Sequence, residues 1–161
     1  MSRILVGGVG YRWAGDLSFG LACTDALAQE PPPDADVRDL GYGALYVALD
    51  LADARPERLV LVAGVPRGRA PGTLHAYRWT PRDVDADEVQ ARIREAGAGV
   101  IDLDHLLVIA HHFGALPDDV RCVELEPVRA EGPALSPEAG RRLADAIAIV
   151  REAEQEGAPI W

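Results

Sequence analysis

Side chains able to hold a metal or move a proton are few in this chain, which has four histidines and two cysteines in 161 residues. His105 opens an apolar helical pattern, a position from which an imidazole could ligate a metal; a hydrogen-bonded or solvated ring is the ordinary alternative. Asp16 precedes another such pattern and could serve as an oxygen ligand or as a helix N-cap. Asp39, before Gly41, could cap the next helix or touch a peptide. Arg67 and Arg69 lie on a glycine- and proline-rich loop and could hold a partner's acidic tail or remain solvated. His111 and His112 are helical neighbours and cannot converge on one ion, while His105 and His112 share a face but stand two turns, roughly 10 Å, apart. Cys23 and Cys122 fall in apolar surroundings, as inert core thiols do. Ser18 and Ser136 have helix-start explanations, and no spacing suggests a serine triad.

Several chemistries are excluded. Gly8-Val9-Gly10 after an apolar run invites a dinucleotide-binding reading, but Trp13 stands where the third glycine would be required for close helix-to-sheet approach. The chain has no lysine, so it holds no P-loop. Sixteen basic against 26 acidic residues give a formal charge of −10, which repels phosphate backbones and anionic lipid. Nucleic acid and membrane are therefore not expected partners, and no apolar stretch approaches the roughly 18 residues of a membrane span. Two cysteines are too few for a secreted disulfide framework, and the glycines after Val6 interrupt any signal-peptide core, so a reducing cytoplasm is expected.

With 48% apolar residues the chain can bury a core unaided, and residues 1–161 are read as a single domain. Ile4 to Val6 is a strand ending at the glycine cluster. Phe19, Ala22, Cys23, Ala26 and Leu27 form the stripe of a helix drawn from Asp16. A strand over 36–40, a helix through Leu45 to Leu51, and the five-residue apolar strand 59–63 follow. Residues 73–79 alternate as an edge strand, and 85–96 form a charged, peripheral helix with Val89 and Ile93 as its apolar contacts. A helix over 104–113, capped by Asp102 or Asp104, precedes strand 120–125. Ser136-Pro137-Glu138 supplies a cap, a first-turn proline and an acid for the last helix. This alternation predicts a three-layer α/β sandwich, a mainly parallel twisted sheet with helices on both faces and a site beyond the strands' carboxyl ends.

In order and spacing these pieces resemble the hydrogenase maturation proteases, endopeptidases that trim the C-terminal extension of the nickel-iron hydrogenase large subunit. The resemblance runs through Ile4-Leu5-Val6 with Gly8-Val9-Gly10, Gly15-Asp16 with Gly20, Asp39 with Gly41 and Gly43, Leu61-Val62-Ala63-Gly64 with Pro71-Gly72-Thr73, His105, Glu126-Pro127, and Leu135 to Glu138. It implies the phosphorylase/hydrolase-like fold of that family. It also implies nickel supplied by the substrate rather than a tightly bound cofactor, with nickel or zinc meeting His105, and a hydrogenase large subunit or related protein as partner.

The resemblance further implies two carboxylates beside the histidine, and both are replaced, by Leu17 and Ala63. Neither an isobutyl nor a methyl group offers a lone pair, and about two negative charges go with them. Asp16 is the available substitute, although its neighbour's direction differs by about 100° on a helix. Leu17, roughly 160° from the Phe19 stripe and on a face with Leu21, would point to the cleft or to a partner. Metal contacts are thus assigned to His105 and Asp16, and substrate contacts to Asp39, Gly41, Leu17 and Arg67. Two readings follow: a maturation protease acting on the large subunit's C-terminal region, and a non-catalytic module that binds a hydrogenase subunit or a paralogous protease.

Overall fold

A computed structural model describes residues 4–155. The elements run β1 (Ile4–Val9), α1 (Phe19–Leu27), β2 (Ala35–Asp39), α2 (Ala44–Ala54), β3 (Arg58–Gly64), β4 (Leu74–Arg78), α3 (Ala86–Gly97), α4 (Leu103–His112), β5 (Asp119–Leu125) and α5 (Pro137–Ala153). They build one five-stranded sheet in the order β2-β1-β3-β5-β4. All pairings are parallel except β4 on β5, which is antiparallel at the edge.

The sheet is covered on both faces because its strands alternate two apolar sets. Leu59, Leu61 and Ala63 of β3 face a core shared with Val47 and Leu51 of α2 and Leu106 and Ile109 of α4. Val60 and Val62 face the other core, with Phe19, Cys23 and Leu27 of α1 and Ala146 and Val150 of α5. A period of two splits one strand between two layers, which is why β3 reads as an unbroken apolar run. Together these layers make the three-layer α/β sandwich that the alternation predicts.

Two local expectations are corrected. First, β1 runs on through the glycines to Val9 instead of ending before them. A Cβ at Gly8 would stand 2.4 Å from the Gly20 carbonyl oxygen, and one at Gly20 would stand 1.9 Å from that of Val62. These glycines let α1 lie directly on the strands, so they are packing residues inside the sheet. Second, the helix does not begin at Asp16: a single 3-10 turn, Gly15–Ser18, precedes α1, and Leu17 belongs to that turn. Its helical angle to Phe19 is therefore not defined, and Leu21 is buried in the core. The charged helix α3 is peripheral, as its pattern predicts: it packs on other helices and has Val89 as its one buried residue. It also forms a wall of the cavity described below.

The termini of α5 and α2 follow their local chemistry. The Ser136 hydroxyl accepts a hydrogen bond from the Ala139 N–H at 3.2 Å, with Pro137 in the first turn. Arg55 ends α2 in the left-handed region at φ 48°, its N–H bonded to the Leu51 carbonyl, and Pro56 follows. No helix among the described residues is long and apolar enough to cross a membrane.

Candidate active-site cleft

The parallel register brings the carboxyl ends of β1 and β3 level, Val9 beside Ala63. A cavity of about 840 Å³ opens there, between the loop after β1, the loop after β3, and helices α3 and α4. Leu17, Ala63 and His105 line it together, so positions far apart in sequence converge on one space. Only one of the three carries a donor atom. Among the described residues, no three His, Cys, Asp or Glu side chains are grouped to hold a metal ion. The donor set therefore does not fit a resident metal, and a metal carried by a substrate would meet fewer ligands here than the resemblance implies.

Asp16 is not on the cavity wall. Its fully buried carboxylate accepts from the N–H groups of Val128 at 2.8 Å, Arg129 at 3.2 Å and Ser136 at 2.7 Å, and from the Ser136 hydroxyl at 2.7 Å. Burial alone would raise its pKa, but the bonds from Ser136, Val128 and Arg129 outweigh it and hold the group below the usual aspartate value. Asp16 thereby ties the turn before α1 to the loop before α5. The structure does not bring it to His105.

His105 sits in the first turn of α4, with its ring between two carboxylates. Nε2 meets Oε2 of Glu95 on α3, and Nδ1 lies 3.7 Å from Oδ2 of Asp102. Asp102 occupies the N-cap position without making a side-chain cap bond. Beside it, the Tyr11 hydroxyl accepts from the Ile101 N–H at 2.9 Å. Burial, and then the Asp102 charge, push the Tyr11 phenol up, against the lowering effect of the Ile101 N–H. Tyr11 lines the cavity, while Trp13, two residues on, is 75% exposed and adopts a left-handed φ of 67°.

Arg67 lines the cavity and is held by two carboxylates. Its guanidinium donates to Asp104 at 2.7 and 2.9 Å and to Glu124 at 2.8 and 3.0 Å. Glu124 is wholly buried on β5 and also accepts from Arg69 and from the Tyr77 hydroxyl. Burial raises the Glu124 pKa, but Arg67 and Tyr77 more than offset it and keep the carboxyl ionised. Glu126 accepts from the backbone N–H groups of Arg67 and Arg69, so two acids clamp the loop after β3. Arg67 is thus a strut of the cavity wall, with four of its five guanidinium N–H groups given to Asp104 and Glu124.

Asp39 lies outside the cavity, at the end of β2. Oδ1 accepts from the Gly41 N–H at 2.8 Å and Oδ2 from Arg12 at 2.9 Å. Gly41 packs against the Gly10 carbonyl at the cavity's mouth. His111 and His112 stand at the far rim, edge-on to Trp79 and to Phe113 respectively. Cys23 and Cys122 are buried free thiols, and burial pushes each up to about 12. The residues that sequence reasoning missed at the site are Glu95 and Arg92 of α3, because a charged helical pattern carries no mark of which acid turns inward.

The chain matches no family model and no curated protein sequence. Solved structures do match. A hydrogenase 2 maturation peptidase from Thaumarchaeota archaeon SCGC_AB-539-E09 is 32% identical, covers 94% of this chain and 97% of its own, and superposes with a TM-score of 0.68. The hydrogenase maturating endopeptidase HybD from E. coli shares the fold at 24% identity, with 94% and 91% covered and a TM-score of 0.70. HybD from Thermococcus kodakarensis, a nickel-iron hydrogenase maturation protease, shares it at 18% identity, with 95% and 99% covered and a TM-score of 0.65. The chain belongs to the hydrogenase maturation protease family.

Proposed function

We propose that this chain acts on the C-terminal region of a nickel-iron hydrogenase large subunit, received in the cleft between the loops after β1 and β3, with nickel arriving as part of the substrate. The observation that carries this reading is the convergence of Leu17, Ala63 and His105 on one cavity at the sheet's carboxyl end. The cleft walls are stiff: Asp16 fastens one loop and Glu124 with Glu126 fastens the other. A preset cleft lowers the ordering cost of receiving an extended segment. The buried free thiols suit a reducing cytoplasm, where such a subunit would be processed.

A specific observation favours a second reading. Leu17 and Ala63 present only carbon to the cavity, so the metal contact is too sparse to guide hydrolysis, and the chain recognises its partner without cutting. Both readings are tested by mixing the full chain with a nickel-loaded large-subunit precursor and following complex formation and the precursor's mass. A shortened precursor supports the protease reading, and a nickel-dependent complex of unchanged mass supports the binding reading. A precursor that is neither bound nor shortened overturns both.

A further inference from the structure

We infer that Trp13 and the outer face of α2, with Tyr42, Tyr46 and Leu49, form a docking surface for the folded body of the precursor, at a face that presents apolar side chains flanked by arginine or lysine. The inference rests on the reading that the cleft receives the precursor's C-terminal segment, and it assigns a second contact to the rest of the same protein.

Exposed carbon is concentrated in one stretch of the chain. Among the described residues six large apolar or aromatic side chains are exposed, and four of them fall within residues 13–49. Trp13 is 75% exposed, Tyr46 68%, Leu49 67% and Tyr42 47%. Single exposed apolar residues are ordinary, but a group of them beside a cleft marks a protein contact, and Trp and Tyr are the types that carry most of the energy of one. Tyr46 and Leu49 stand three apart on α2 and so share one side of it. The Tyr42 hydroxyl donates to the Asp50 carboxylate, which lays its ring along α2.

The surface continues from the cleft. Trp13 lies on the loop after β1, two residues beyond Tyr11 of the cavity wall. Between them Arg12 donates to Asp25 of α1 at 3.0 and 3.1 Å and to Asp39 of β2 at 2.9 Å, and Tyr42 follows Asp39 by three residues. With Tyr11 bonded to Ile101 and Arg12 to two acids, the loop holds Trp13 at a φ of 67°, which a bulky residue rarely adopts, and turns its indole to solvent. An indole on so fixed a loop has little freedom to lose on binding.

Charge selects the partner. No basic residue occurs in α2, and a groove of about 360 Å³ between α2 and β2 is lined by Asp36, Asp50 and Asp53, with Arg38 as its one basic residue among those described. Carboxylates beside exposed aromatic faces favour a guanidinium or ammonium, through charge and through cation–π contact. A second copy of this chain would bring the same acids and a formal charge of −10 against them, so the surface does not suit self-association.

The test pairs the full chain with the nickel-loaded large-subunit precursor and reads Kd or, where the precursor is shortened, kcat/KM. Trp13→Gly, and Tyr46→Ala combined with Leu49→Ala, change only exposed side chains and should melt as the natural chain does. Each should weaken binding or lower kcat/KM roughly tenfold or more. Asp53→Arg should slow association roughly threefold at low salt and have no effect at about 0.5 M salt. A precursor still bound or shortened with unchanged Kd or kcat/KM in either apolar variant would overturn the inference and leave the functional reading standing. A dimer of the natural chain that the same substitutions dissolve would give the surface to a second copy and also overturn it. A natural chain that neither binds nor shortens the precursor would instead defeat the functional reading on which the inference rests.

Discussion

Replacing Asp16 should unfasten the cleft without touching any cavity-lining side chain. Four donors converge on its buried carboxylate, three backbone N–H groups and the Ser136 hydroxyl. Asp16→Ala leaves them facing carbon. At about 1 kcal/mol or more for each orphaned buried donor, the loss is about 4 kcal/mol, within the range for breaking a buried charged partnership. For a chain of this length that lowers the melting temperature by roughly 12 °C. Asp16→Asn keeps the shape but turns an NH2 toward N–H donors, and should cost about 2 kcal/mol. Because the folded-state pKa lies below the ordinary aspartate value, the stabilisation is fully present above pH about 4 and fades as pH falls through the lowered value. Stability measured by urea unfolding from pH 7 down to pH 2 should therefore fall more steeply in the natural chain than in Asp16→Ala. Glu124 and Asp119, whose pKa values are also lowered, leave a shallower slope in the variant. Variants that melt within 2 °C of the natural chain, with parallel pH slopes, would refute the reasoning.

Other expectations follow from single contacts. Glu124→Gln removes the charge that Arg67, Arg69 and Tyr77 share and should destabilise by about 3 kcal/mol, with faster hydrogen exchange at Arg67 and Arg69, checked by urea unfolding and exchange. Gly20→Ala places a methyl 1.9 Å from the Val62 carbonyl oxygen and should leave the chain largely insoluble, which a soluble-fraction assay reads directly. Arg55→Gly relieves a left-handed cap and should raise stability by about 1 kcal/mol by thermal melting. Neither Cys23 nor Cys122 should react with a thiol reagent at pH 8 until the chain unfolds, since both are buried with pKa values pushed to about 12.

The fold was legible wherever one segment's own pattern decided its place. The five apolar residues of β3 announced a strand covered on two faces, and Ser136-Pro137-Glu138 announced α5, because caps and periodicity act within a few residues. The site was legible only in part. His105, Leu17 and Ala63 could be grouped, but Asp16, assigned to a metal beside His105, has its bonds elsewhere, because its partners lie on a loop more than 110 residues away. Glu95 carried no signal at all. It is one of several charged residues on α3, and only the packing of α3 on α4 turns it to His105. Glu124 left a trace, an acid between Val123 and Leu125 in a strand that is buried from Val120 onward, which is the mark of a buried ion pair. Arg67 shows the converse: a loop arginine that looks solvated is braced by Glu124 and Asp104.

The most direct test of the central claim is hydrogen exchange on the full chain with and without a nickel-loaded large-subunit precursor. The account predicts added protection on residues 10–18, 64–67 and 102–105, which border the cavity, and none around Arg58 and Asp119 at the opposite end of the sheet. Protection confined to that opposite end, or none at any precursor concentration, would contradict it.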